Sequence, residues 1–120
     1  MVRLVTATLK YQIAESNGWL VMTPSGKAEN NEPLHVRHLV RRWIAQQRVR
    51  VIVNLEALQS FGVWEVGVLT SIKKEVDQRA GEMRVCRLNP ELDGYFRNDR
   101  FAEQFDVYPD VESAIAGKRS

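Results

Sequence analysis

The residues with chemistry to offer are few and badly placed to cooperate. His35 and His38 stand three apart, a spacing that puts both imidazoles on nearby faces of a helix and could bind a metal, but no Cys or carboxylate stands at ligand spacing beside them. A solvated polar face is the expected reading, with no metal site. Ser25-Gly26-Lys27 has neither the loop length nor the following helix that a phosphate-cradling loop requires, which argues against nucleotide hydrolysis. Nucleophilic catalysis needs a base beside a Ser, Cys or Thr and a third group to orient it, yet the two histidines share one predicted helix. The single cysteine, Cys86, falls next to Val85 in a predicted strand and reads as a small buried hydrophobe; one cysteine also excludes an internal disulfide framework and a multi-Cys zinc site. Glu91 with Asp93 and Glu103 with Asp106 are the carboxylates that solvated helix ends and loops carry, with no aromatic cleft around them. No enzymatic activity, cofactor or metal is expected.

Two segments stand out as binding features. Arg37, Arg41, Arg42, Arg48 and Arg50 form the densest basic cluster and could dock a phosphate or an acidic partner, although a solvated helix face is the expected account. The cluster lacks the interleaved aromatics that single-strand nucleic-acid readers stack on bases, and the formal charge of +2 supplies no broad positive field, so nucleic acid is not an expected partner. The segment Gln59 to Glu65 carries Ser-Phe-Gly-Val-Trp between a predicted buried strand and a helix N-terminus, where backbone N–H groups are free and function often resides. Trp64 there has two open readings: a core aromatic at the first helical turn, or an exposed interface anchor.

The elements that would position these residues follow from periodicity. Leu4 to Ile13 reads as a strand, Asn17-Gly18 as a hairpin turn needing positive φ, and Trp19 to Thr23 as the return strand. Pro24 to Pro33 is a loop rich in Ser, Gly, Asn and Glu. From Leu34 to Gln47, Val36, Leu39, Val40, Trp43 and Ile44 recur at helical spacing, which turns Arg37, Arg41 and Arg42 toward solvent. Val51 to Leu55 is a β-branched apolar run suited to a central strand covered on both faces. A second helix carries Val66, Leu69, Ile72 and Val76 in one stripe, with Lys73 and Lys74 off it and Gly81 closing it. Met83 to Leu88 is a strand, Asn89-Pro90 starts a short helix through about Phe96, Phe101 to Val107 leads into a last strand, and Pro109-Asp110 opens a terminal helix.

The order is therefore ββαβαβαβα, an α/β fold with a mixed sheet whose later strands run parallel and whose helices pack on its faces. A length of 120 residues, an apolar fraction of 44% and a charged fraction of 27% fit one globular domain over residues 1–120. No signal-peptide core and no run of membrane-spanning length is present, so the protein is expected in the cytoplasm without membrane insertion.

Asn54-Leu55-Glu56-Ala57-Leu58, the stretch Gln59 to Gly67, and Ala80-Gly81-Glu82-Met83-Arg84-Val85-Cys86 together resemble the central third of the STAS family, especially bacterial anti-sigma-factor antagonists. Trp19-Leu20-Val21-Met22 with Ser25-Gly26, then Asn89-Pro90 and Val111 to Ala116, extend the resemblance over nearly the whole chain. The resemblance implies a STAS-like fold and a regulatory, protein-binding role. It also implies a comparison with the family's Asp-Ser-Ser-Gly or Asp-Ser-Thr-Gly motif, whose second hydroxyl residue accepts phosphate from a partner kinase. Gly62, Val63, Trp64 and Glu65 occupy those four positions, so Trp64 stands at the acceptor and has no hydroxyl to modify. Glu65 places negative charge in the first helical turn, where the macrodipole favours it. Glu29 occupies, with a longer side chain, the place of an acidic residue that the family carries after the turn glycine. Ser60, Thr70 and Ser71 are not expected to replace the acceptor.

The expected partner-binding surface comprises Phe61, Gly62, Val63, Trp64 and Glu65, with Ser25, Lys27 and Glu29 from the neighbouring loop. The expected partner is a protein, an anti-sigma factor or kinase-like regulator, and a homodimer through the Val63–Trp64 patch is a further option. The alternative is an accessory subunit or regulator of a membrane transporter, a setting in which STAS-like domains also occur. Small-molecule or nucleotide sensing is a weaker third reading, because the charge of Glu65 repels phosphate at a helix N-terminus.

Overall fold

In a computed structural model of the chain, the structure describes residues 2–5, 9–27, 38, 41, 49–58, 63–86 and 105–118. These build one six-stranded sheet in sequence order: β1 (Val2–Val5), β2 (Leu9–Ser16), β3 (Trp19–Gly26), β4 (Arg50–Asn54), β5 (Glu82–Cys86) and β6 (Asp106–Tyr108). Helix α1 (Val63–Gln78) connects β4 to β5, and α2 (Val111–Ala116) follows β6. The first three strands pair antiparallel, and β3 to β6 run parallel, which makes the mixed sheet that the element order predicts.

Two strand boundaries differ from expectation. The single strand expected over Leu4 to Ile13 is a hairpin, β1 against β2, with Val5 opposite Lys10. No Gly, Pro, Asn or Asp separates them in sequence, so the strand pattern reads straight through. Strand β3 also continues past Thr23 through Pro24. Its pairing with β4 ends at Met22–Val53, and Gly26 N donates to Ala57 O on that side. Pro24 lies two residues before Gly26, so its missing donor faces the same side, where no β4 partner needs it. The helices expected over Leu34 to Gln47 and from Asn89 lie outside the described residues, except that His38 and Arg41 are helical.

Both faces of the parallel strands are covered. Val51, Val53, Leu55 and Val85 join Val68, Leu69, Ile72 and Val76 of α1 in the main core, while Trp19, Ile52, Cys86 and Tyr108 pack with Ala114 of α2 on the opposite face. Each such fully buried aliphatic side chain contributes roughly 1.5–3 kcal/mol. Strand β4 is central, with Val51, Ile52 and Val53 fully buried, as its unbroken apolar run requires. The Asn17-Gly18 hairpin takes positive φ at both turn positions, and Asp110 caps α2 by accepting the Ser113 N–H at 2.7 Å.

The end of α1 divides two tasks between neighbours. Ala80 takes the left-handed conformation (φ 52°), with Gly81 N bonded to Val76 O and Ala80 N to Asp77 O. Gly81 is needed for a different reason: a Cβ there would stand 2.2 Å from Val49 O and 3.0 Å from Val76 Cγ1. Ala80→Gly should therefore stabilise the protein by about 1 kcal/mol, while Gly81→Ala should destabilise it by about 1–3 kcal/mol. Urea denaturation of both variants checks this; a stabilising Gly81→Ala would refute the close approach.

Candidate functional site

Of the residues singled out by sequence, Ser25, Lys27, Trp64 and Glu65 lie at one end of the sheet, outside the carboxyl ends of β3 and β4, where open α/β sheets place their binding sites. Leu55 N–H donates to Cys86 O at 3.0 Å, carrying β4's backbone one residue beyond the strand. Asn54, 5% exposed, then shapes the turn: its Oδ1 accepts Glu56 N–H and its Nδ2 donates to Glu56 Oε1, both at 3.2 Å. Gly26 N–H donates to Ala57 O at 3.3 Å, and Gly26 bridges Leu58, so the chain leaving β3 runs beside the chain leaving β4. Ser25 Oγ donates to Lys10 O at 3.4 Å, and Lys27 is exposed.

Helix α1 begins at this end with Val63. Trp64 is 44% exposed, which favours the anchor reading over the core one, and it is the exposed large hydrophobe among the described residues. Glu65 behaves differently: it is 4% exposed and lines a shallow cleft with Pro24, Leu55, Leu58, Val68 and Leu69. Adjacent positions on the helix thus point in different directions, Trp64 into solvent and Glu65 beneath the β3 terminus. The cleft brings the end of β3 against the first turns of α1, so Ser25 and Lys27 share this end with Trp64. Glu29, Phe61 and Gly62 lie outside the described residues.

Thr70 Oγ1 donates to Val66 O and Ser71 Oγ to Gly67 O, each at 2.9 Å, so both hydroxyls are returned to the helix backbone. Cys86 is fully buried, as its strand position implies. Among the described residues no group of His, Cys, Asp and Glu is arranged to hold a metal ion, and no helix is long and apolar enough to cross a membrane.

Residues 10–114 match the STAS domain family. The chain belongs to the STAS family. Its fold is similar to that of an anti-sigma-factor antagonist (STAS) domain protein from Planctomyces limnophilus, 14% identical, with a TM-score of 0.74 over 89% of this chain and 96% of that one. It is also similar to an anti-sigma factor antagonist from Mycobacterium paratuberculosis, 15% identical, with a TM-score of 0.75 over 95% and 97% of the two chains. The phosphorylated form of the Bacillus cell fate determinant SpoIIAA is 17% identical, with a TM-score of 0.63 over 90% and 99%. At these identities the likeness is one of fold. No curated protein matches the chain significantly.

This STAS domain contains an ion-pair cluster that sequence reasoning missed. Glu75, 1% exposed, accepts hydrogen bonds from Arg41 Nε and Arg79 Nη1, each at 2.9 Å. Arg41 was expected to face solvent; its side chain is 48% exposed, yet its Nε reaches inward to this carboxylate. The signal was available, because Glu75 lies between Ile72 and Val76 on the apolar side of α1, where a carboxylate needs cationic partners. Arg50 was likewise grouped with the basic face, but its guanidinium stacks on Trp19 at 4.1 Å from the ring centroid, with Arg84 over the same ring at 4.4 Å.

Burial pushes the Glu75 carboxyl up, and the hydrogen bonds and positive field of Arg79 and Arg41 more than reverse this, so its pKa lies below the usual carboxylate range. A depressed folded-state pKa gives stability that is present above the unfolded value of about 4.3 and is lost as pH falls through the folded value. Glu75→Gln should therefore be less stable than wild type at pH 7, and the gap should close on acidification toward pH 3. Urea denaturation at the two pH values measures it; a gap that widens in acid would contradict the assignment.

Proposed function

We propose that this STAS domain is a non-enzymatic regulatory module that binds a protein partner through the surface around the first turn of α1, without control by phosphorylation at the family's acceptor position. The observation that carries the reading is the exposure of Trp64, the indole that counting along the sequence sets at the acceptor position. An indole cannot receive phosphate, but it is among the side chains most enriched in interface hot spots. The family resemblance supplies the regulatory setting, and the partner class that fits it is an anti-sigma factor or kinase-like regulator. The neighbouring hydroxyls of Thr70 and Ser71 are engaged with the helix backbone, so the surface acts as a constitutive antagonist or scaffold face.

Supporting roles fall to Ser25, Lys27 and Glu29 on the loop side and to Phe61, Gly62 and Val63 ahead of Trp64. Glu65 contributes from behind, favouring the start of the helix through its dipole and lining the cleft with Pro24. Affinity capture from the protein's own cell extract, with wild type and Trp64→Ala side by side, tests the reading. The expected result is a sigma-pathway or kinase-like partner that Trp64→Ala loses, at a binding cost of about 2 kcal/mol or more. Wild type incubated with that partner and ATP should keep its mass. Undiminished capture by folded Trp64→Ala would remove Trp64 from the site, and a transport ATPase as partner would replace the sigma-pathway reading.

A further inference from the structure

The hairpin between β2 and β3 turns on Asn17 and Gly18, at the end of the sheet opposite Trp64. The register pairs Ser16 with Trp19, so these two residues alone make the connection and neither belongs to the ladder. Both are exposed. Among the described residues the Gly18 N–H has no hydrogen-bond acceptor and the Asn17 carboxamide has no partner. Asn17 holds a left-handed φ of 51°, which an L-residue keeps at a cost. A side-chain carbon on Gly18 would meet only Arg50 Nη1, 3.9 Å away, so the space beside the glycine is open. Asn54 gives the contrast. It is 5% exposed, both ends of its carboxamide bond to Glu56, and the N–H that follows it, that of Leu55, is bonded to Cys86 O.

We infer that Asn17 is a site of spontaneous deamidation, with isoaspartate among the products. Once solvent base has taken its proton, the Gly18 nitrogen attacks the side-chain carbonyl carbon of Asn17. A nitrogen–carbon bond forms, and the side-chain nitrogen leaves as ammonia. Water then adds to either carbonyl of the resulting cyclic imide and breaks one nitrogen–carbon bond, leaving aspartate or isoaspartate at position 17. Ring closure requires Asn17 to rotate out of the turn, and the tip can open because the eight pairs from Ser16–Trp19 to Leu9–Gly26 hold the register beneath it. The two products differ in fit. Aspartate before glycine favours the same turn and sets a carboxylate on the loop that Arg50 Nη1 reaches. Isoaspartate adds a methylene to the main chain, more than the two-residue connection accommodates, and so loosens the closing pair beside buried Trp19. The reaction stands or falls independently of the function proposed above.

The test is incubation of the folded protein at mildly alkaline pH, beside the same protein in urea, followed by tryptic mapping. The peptide from Tyr11 to Lys27 contains no other asparagine. Electron-transfer fragmentation and labelling by an isoaspartyl methyltransferase distinguish the two acids within it. Folded Asn17 should convert no more than about tenfold more slowly than in urea, since the opening it needs is local. Slower conversion would show that the closed turn protects Asn17 and would overturn the inference, as would a folded-state product free of isoaspartate. The purified isoaspartyl form should unfold at lower urea than the Asn17→Asp variant, which carries the same charge on an unlengthened main chain. Equal midpoints would overturn the misfit assigned to the longer turn.

Discussion

Helix α1 buries a carboxylate together with its aliphatic face, and this combination sets the rotation of the helix on the sheet. Leu69, Ile72 and Val76 could tolerate some rotation about the helix axis, since apolar contact is non-directional. Glu75 cannot. One of its oxygens is held by Arg79 at the end of the same helix, which turns with it, but the other is held by Arg41 from the helical residues before β4, and a rotation would break that pair. Trp64 stands three turns before Glu75 and so on nearly the same side of α1, yet it is exposed at the helix start, while Glu65 turns beneath the end of β3. The exposed indole follows from its place in the first turn of α1 and not from the rotation of the helix.

The strand ends complete the platform. Asn54 folds the chain back over Glu56, and Gly26 joins the chain leaving β3 to Ala57 and Leu58, so the approach to α1 is bounded by hydrogen bonds on two sides. On the far face, Arg50 and Arg84 enclose Trp19, and Arg84 Nη1 also donates to Ala114 O near the end of α2. That assembly keeps an indole in the core while another is left outside, which shows that exposure of Trp64 reflects position and not residue type.

Much of this was legible in the chain. The β-branched run Val51 to Leu55 announced a central strand, the stripe of Val66, Leu69, Ile72 and Val76 announced α1, and Asn17-Gly18 and Asp110 marked a turn and a cap, because each depends on local periodicity or local backbone chemistry. The pairing of β1 with β2 inside the first predicted strand was not legible, since none of the usual turn residues separates them in sequence. Gly81 was expected to close α1, yet the left-handed residue there is Ala80, because the glycine answers a close approach to Val49 that only the folded sheet creates. The site was legible in part: Trp64 was recognised, but its two readings are separated by burial, and the Arg41–Glu75 pair depends on contact between residues 34 positions apart.

The central claim is that Trp64 is a free anchor which a partner covers. A variant carrying Trp19→Phe and Trp43→Phe retains Trp64 as its sole tryptophan, and acrylamide quenching of that residue, with and without the captured partner, measures its accessibility directly. Strong quenching in the isolated protein and marked protection in the complex are expected. Equal quenching in both states, or protection already present in the isolated folded protein, would contradict the account.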